Sequence, residues 1–241
     1  IRVIGKPLNG IYAPKTNGYV AYQEEVPVYY SPLGVACPLH PDLSLPYFYK
    51  PGDYKFVDVN NDRVIVFDNY SDYVYCGSAL PEVYGGIVGE IRWKNFDLNM
   101  LFSYQIGRHI LQDYVKGSVQ KGTLIFNVNK VTFWEKPGDK ADYPQLQVDN
   151  WNGNWDLVDR DVEKVNWVKL KTFSLGYTLP EVWMKKCGMD ELRLFVSGEN
   201  LWTWTNYSGL DPESVAPRTG IDNGRNYPLS RKWTLGVTLK F

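Results

Sequence analysis

Polar and apolar residues alternate without a break over residues 232–241. Trp233, Leu235, Val237, Leu239 and Phe241 share one face, and Lys232, Thr234, Gly236, Thr238 and Lys240 share the other. A period of two marks a strand whose faces meet different surroundings. A second alternating pair flanks Lys94-Asn95: Ile87, Gly89, Ile91 and Trp93 are in one phase before it, and Phe96, Leu98, Met100, Phe102, Tyr104 and Ile106 after it. Val88, Glu90, Arg92 and Lys94, then Asp97, Asn99, Leu101, Ser103 and Gln105, take the opposite phase. A two-residue turn sets its flanking residues opposite each other. Trp93 is therefore expected to face Phe96, with the apolar phases of both strands in agreement, although Lys94-Asn95 is not the favoured Asn-Gly pair.

Over residues 167–179 the phase of Phe173, Leu175, Tyr177 and Leu179 is apolar against Thr172, Ser174, Gly176 and Thr178, and Lys169 and Lys171 interrupt it. Pro180 removes a backbone donor and ends the strand, and residues 181–188 have room for one helical turn. The next strand starts at about Leu192, with Leu194, Val196, Gly198, Trp202 and Trp204 expected on one face. Arg193, Ser197, Glu199, Thr203 and Thr205 take the other, with Phe195, Leu201 and Asn200 as exceptions. Two tryptophans closing an apolar face read as an interfacial girdle; the alternative is that they cap a soluble core. This makes five strands, with a sixth candidate in the first dozen residues. Short connections at Lys94-Asn95 and Pro180 alternate with long ones near residues 14–84, 107–166 and 206–230, an unusual pattern for a compact domain.

Composition points the same way. Aromatic residues make up 15% of the 241 residues and Gly numbers 21 against Met 3, a balance that favours strands and turns. The formal charge of -1 leaves no global footprint for nucleic acid. Nothing approaches the ~20 consecutive apolar residues of a spanning helix, so any crossing of a membrane falls to strands. The chain opens on Ile1 without a leader, and its true amino terminus is expected upstream. Cys37, Cys76 and Cys187 form no C-x-x-C pair. Cys37 and Cys76 flank one irregular segment and a bridge between them is one option; three unrelated thiols is the reading adopted.

Alternation alone does not separate a soluble sandwich from a transmembrane barrel. The final Phe241, in phase with the apolar face, resembles the terminal signature of bacterial outer-membrane barrels. With that end on the periplasmic side, every short turn is periplasmic and every long loop extracellular. A bacterial barrel closes with at least ~8 strands, and an open sheet edge in lipid leaves backbone groups unsatisfied. Five or six strands must therefore pair with more barrel.

The segments 51–64 (PGDYKFVDVNNDRV), 84–107, 168–180, 192–213 and 227–241 together resemble the end of the SusC/RagA family of TonB-linked outer-membrane proteins. The resemblance implies an all-β fold, namely the last five or six antiparallel strands of a transmembrane barrel of about 22 strands, with long extracellular loops and short periplasmic turns. It implies further that the amino-terminal plug and the TonB-contacting segment lie outside this sequence. The implied role is nutrient import across the outer membrane of a Gram-negative bacterium, with oligosaccharide or peptide as substrate. The implied partners are the remaining barrel and plug, a SusD-like surface lipoprotein as lid, TonB, and outer-membrane lipid, with no nucleic acid. Two rivals stand beside it: a structural or secretion-related outer-membrane barrel, and a soluble carbohydrate-binding β-sandwich.

Little in the chain suggests catalysis. His40 and His109 lie in no metal-ligand spacing and read as surface or loop residues, and no nucleophile or phosphate-loop motif occurs, so no enzyme is expected. Asp58, Asn60 and Asp62 open like a calcium loop, but Arg63 replaces the turn Gly, where the family usually has Gly, and Asn69 replaces the closing Glu. An Asx turn is the expected role and no cofactor is expected. For ligand contact, Trp151 and Trp155, interleaved with Asp149, Asn150, Asn152 and Asn154, together with Tyr207, Trp134 and Tyr143, offer aromatic platforms beside amides. Asp211 and Glu213 are expected to fix an outer loop through turn chemistry.

Overall fold

The computed structural model describes residues 3–22, 29–30, 36–37, 51–62, 70–116, 131–146, 157–186 and 188–241. In chain order the strands are β1 (Gly10–Pro14), β2 (Thr16–Tyr19), β3 (Tyr29–Tyr30), β4 (Ala36–Cys37), β5 (Tyr54–Phe56), β6 (Tyr73–Ser78), β7 (Val83–Trp93), β8 (Phe96–Gln112), β9 (Val162–Thr178), β10 (Glu191–Thr205), β11 (Ile221–Asp222) and β12 (Lys232–Lys240). One short helix, α1 (Glu181–Lys186), joins β9 to β10. The chain forms two compact units, residues 81–108, 164–214 and 227–241 in one and residues 1–80, 109–163 and 215–226 in the other.

The first of these is a sheet. Its long strands run in the order β7-β8-β9-β10-β12, antiparallel where the register is fixed, and they are the five that alternation predicts. The hairpin holds in full: β7 and β8 pair from Val83↔Ile106 to Trp93↔Phe96, and those last two rings stack with centroids 6.4 Å apart. Lys94 takes a left-handed φ of 54°, which Gly or Asn accepts more easily. Three contacts hold the turn there: the Lys94 ammonium lies over the Trp93 ring, Asn95 Nδ2 donates to Thr178 O at 2.7 Å, and Thr178 N donates to Asn95 O at 2.9 Å. The short link through α1 closes at the same end, where Leu179 N donates to Leu192 O and Asp190 N to Lys240 O.

Strand pairing keeps the two faces apart. Leu192, Leu194 and Val196 lie opposite Leu239, Val237 and Leu235, while Arg193, Ser197 and Glu199 lie opposite Thr238, Thr234 and Lys232. The apolar face is open, with Leu235 84% and Trp233 65% exposed. The expected placement of Trp202 and Trp204 is corrected by the register. It shifts between Glu199 and Trp202, where Asn200 adopts φ 53°, so the two indoles face Leu170 and Val168 instead of continuing the Leu194 phase. A bulge inserts one extra residue and reverses the alternation beyond it.

The second unit fills much of what was expected to be connecting chain. The sixth candidate strand is real, but β1 pairs with β6 in a separate sheet, and β2 pairs with β5 in another. The expected long connections at 14–84 and 107–166 are accordingly shorter: five further strands occupy the first, and β8 and β9 extend to Gln112 and back to Val162. Ile11, Ala79 and Leu111 pack with Cys76, Leu157 and Val162. Cys76 is a free thiol whose Sγ donates to Val74 O at 3.4 Å, which removes the optional Cys37–Cys76 bridge. His109 belongs to β8 instead of a loop, and its ring lies where a Cβ on Gly77 would stand.

Candidate functional site

In the second unit an open cleft of about 570 Å³ is lined by Tyr19, Trp134, Asp139, Lys140, Asp142 and Arg160, with Gly18, Ala21, Gly138 and Ala141. Its walls come from β2, the segment 131–146 and the 3-10 turn Asp159–Asp161. Asp159 Oδ1 accepts from Thr16 N and Thr16 Oγ1, at 3.1 and 2.6 Å, which ties that turn to β2. Arg160 then lies over the Tyr19 ring at 4.9 Å, and both side chains donate to Ala141 O. Burial pushes the Tyr19 phenol up to about 12, so it stays a neutral donor. Behind it Tyr54 stacks on Tyr19 at 5.3 Å, and the Lys116 ammonium sits over Tyr54 while pairing with Asp161 at 2.6 Å. Burial raises the Asp161 carboxyl despite Lys116, and the bond from Val158 N at 2.7 Å opposes that rise.

The acids of the cleft already serve the loop. Asp139 Oδ2 accepts from Glu135 N and Lys136 N, and Asp142 Oδ2 from Thr132 N and Oγ1. Trp134 is 5% exposed and covers Gly52, where a Cβ would meet its ring.

In the sheet unit the lysines that interrupt the alternation of β9 find their partners in the loop after β10. Lys169 is 2% exposed and pairs with Asp211 at 2.6 Å and Glu213 at 2.9 Å, and Lys171 pairs with Glu213 at 2.5 Å. Burial would raise the Asp211 carboxyl, but bonds from Lys169, Glu213 N and Leu229 N outweigh it and hold the group below the ordinary carboxylate range. Ser214 N and Oγ donate to Asp211 O, so the expected turn chemistry is present, with ion pairs added. On the polar face near the short turns, Arg193 grips Asp97 through Nε at 3.1 Å and Nη2 at 2.5 Å, passing over Gly176, where a side chain would collide with both. The exception Phe195 is explained alike: its ring covers Gly236 and carries the Arg193 guanidinium at 5.2 Å.

Of the residues singled out for ligand contact, Trp151, Trp155, Asn152 and Asn154, with Asp149 and Asn150, lie outside the described residues. Tyr207 is 6% exposed and lies against Gly209, so it presents little surface. Asp58 Oδ1 accepts from Asn61 N at 2.7 Å, Asn60 Oδ1 from Asp62 N at 3.0 Å, and Asn60 Nδ2 donates to Asp62 Oδ2 at 2.8 Å, the pattern of an Asx loop. Among the described residues no three His, Cys, Asp or Glu side chains group to hold a metal. Tyr19 and Arg160 were not signalled by sequence, because their meeting depends on two segments 141 residues apart.

An antiparallel sheet with one apolar and one polar face is the kind of sheet from which the wall of an outer-membrane β-barrel is built. No family model matches the chain. It is 32% identical over 200 residues to TonB-dependent receptor P3 of Formosa agariphila and 28% identical over 198 residues to TonB-dependent receptor P39 of the same organism. Each alignment covers 79% of this chain and 19% of the relative, so the chain spans about a fifth of the length of the curated relatives it matches. Its fold is similar to that of the RagAB peptide importer in the open-open state, with a TM-score of 0.57 at 17% identity over 99% of this chain and 23% of the other. A second structure, of the RagAB peptide transporter, gives 0.55 at 19% identity, over 96% of this chain and 23% of the other. The likeness to TonB-dependent receptors supports the resemblance read from the sequence, and the RagAB structures share the fold of this chain.

Proposed function

We propose that this chain is a wall section of a TonB-dependent nutrient importer in the outer membrane of a Gram-negative bacterium. The remaining strands close the ring, a plug fills it, and a SusD-like lipoprotein covers its outer mouth. The observation that supports this best is the five-strand sheet with unlike faces, whose edge strands β7 and β12 each pair on one side only among the described residues. In hydrocarbon an unpaired edge leaves N–H and C=O groups unsatisfied at several kcal/mol each, so neighbouring strands are required. The apolar face then meets lipid and the polar face an aqueous interior.

Substrate is an oligosaccharide or a peptide, taken up by energy transmitted through TonB. Loop residues Trp151, Trp155, Asn152 and Asn154 are the proposed first contacts, with Tyr207 as a buried support of the loop after β10. Import in place of a merely structural barrel predicts a stable lipoprotein partner. Purification of the native complex in detergent, with intact masses of every chain, is the test: a SusD-like lipoprotein and a chain with a TonB-contact segment are expected. A complex with neither, or a chain that stays monodisperse without detergent, overturns the reading.

A further inference from the structure

The tight turn between β7 and β8 carries a residue that its backbone disfavours. Lys94 has a φ of 54°, and Asn95 beside it is not among the residues of positive φ. A two-residue turn with positive φ at its first position alone takes glycine there by preference. The fold makes little use of the lysine that stands in its place. Asn95 donates through Nδ2 to Thr178 O and accepts at its own O from Thr178 N, so the turn is tied to β9 whatever side chain position 94 carries. Among the described residues no carboxylate pairs with the Lys94 ammonium, which lies over the Trp93 ring at 4.9 Å. Trp93 is 63% exposed, and a cation held over a ring at an exposed site gains less than the left-handed backbone costs a residue with a Cβ. Strain that the chain's own contacts do not repay points to a use outside the chain.

The place of the turn says what that use is. Trp93 ends the apolar face of β7, Phe96 begins that of β8, and the two lie opposite each other. Their rings stack, and Phe96 meets Tyr177 of β9 with centroids 4.6 Å apart, so a band of aromatic rings closes the apolar face at this end. Behind the band Ile91 and Ile87 continue the face and are exposed. Rings at the edge of a lipid-facing surface stand at the head-group level, and a lysine just beyond them lays its stem on apolar surface while its ammonium stays in the polar layer. We propose that Lys94 and Trp93 form a binding site for the phosphate of an anionic glycerophospholipid in the leaflet that borders the short turns. The indole meets the glycerol region of the lipid, and the ammonium takes the phosphate. Arg92, the neighbouring cation, lies opposite Asp97 on the polar face, which leaves Lys94 as the charge of the site. The proposal rests on one half of the reading above, that the apolar face meets lipid, and is independent of import.

The test uses the complete protein with its native partners in lipid nanodiscs, unaltered and as Lys94→Gly, Lys94→Asn and Lys94→Arg. Glycine and asparagine both accept the backbone and remove the charge, so either serves should the other upset assembly, and arginine keeps the charge. The nanodiscs contain a small share of phosphatidylglycerol with a photoreactive head group, or of phosphatidylcholine labelled in the same way. After illumination the label on the peptide spanning residues 84–106 is measured by mass spectrometry. The unaltered protein is expected to take the phosphatidylglycerol label at the turn in preference to the phosphatidylcholine label. Lys94→Gly and Lys94→Asn should lower the phosphatidylglycerol label about fivefold, the factor that one basic residue near an anionic surface supplies, and Lys94→Arg should retain it. No label at the turn, equal labelling by both lipids, or labelling unchanged in Lys94→Gly and Lys94→Asn overturns the site. Loss of the label in millimolar inorganic phosphate shows a site for the free anion and overturns the commitment to lipid. The lipoprotein partner is scored by intact mass in the same preparation. Labelling at the turn without that partner strikes the import reading and leaves the lipid site standing, whereas the partner without labelling does the reverse.

Discussion

Lys94 carries a φ of 54° in a two-residue turn, a conformation that costs a residue with a Cβ about 1–2 kcal/mol. Lys94→Gly is expected to recover about 1 kcal/mol of that, less the loss of the ammonium from the Trp93 ring, and chemical denaturation of the reconstituted transporter measures it. The faces of the sheet make a sharper expectation. Leu235→Arg and Met100→Arg place a charge in hydrocarbon and should each impair assembly by ~2–4 kcal/mol, whereas Thr234→Arg, on the polar face, should be much milder. Equal losses at positions 234 and 235, followed by folding into lipid vesicles, would show the faces to be wrongly assigned. Gly176 and Gly236 belong to the same argument: alternation marks them merely as polar-phase positions, and only the side chains of Arg193, Asp97 and Phe195 lying across them explain why neither tolerates a Cβ. Gly236→Val is expected to lose about 1–3 kcal/mol through displacement of Phe195, and the same denaturation series measures it.

The strands themselves were legible because alternation is a local property: the hairpin register, the stop at Pro180 and the short helical link all follow from neighbours in sequence. Lys169 and Lys171 were legible only as interruptions. Their partners Asp211 and Glu213 lie about 40 residues on, and no periodicity links a lysine in a strand to a carboxylate in a loop. Together they pin the loop after β10 to β9. Removing one member of a dry pair leaves the other charge uncompensated, so Lys169→Met is expected to destabilise that loop by about 3–5 kcal/mol, read as faster backbone hydrogen exchange over residues 206–214. Its pH dependence has a definite sign. The Asp211 carboxyl is held below its ordinary value, so its contribution is complete above about pH 4 and is lost as pH falls through the lowered value. Exchange in the loop should accelerate under acid, and Asp211→Asn should abolish that acid step.

At the scale of the whole molecule the proposed reading makes the sheet one arc of a larger enclosure. Among the described residues β7 and β12 each pair on one side only, and the two faces of the sheet are unlike, as an arc between lipid and an aqueous interior requires. The relatives are about five times longer than the stretch they share with this chain, in keeping with a ring supplied mostly by other strands. The expectation is that the 241-residue chain by itself, refolded in detergent and added to planar bilayers, gives no discrete conductance, and that the complete transporter stripped of its plug does. Well-defined single-channel steps from the chain alone would contradict the incomplete-enclosure account.

The amino-acid sequence by itself settled the all-β class, the five long strands, their apolar and polar phases, and the tight turn at Lys94-Asn95, because all of these depend on side-chain order over a few residues. Tertiary structure decided what depends on an added residue or a distant partner. The bulge at Asn200 set Trp202 and Trp204 opposite Leu170 and Val168, β1 joined β6 instead of the main sheet, and Tyr19 met Arg160 to shape the cleft. The physical reason is the same in each case: alternation records which medium a side chain expects, whereas register and long-range pairing decide which neighbour it finds.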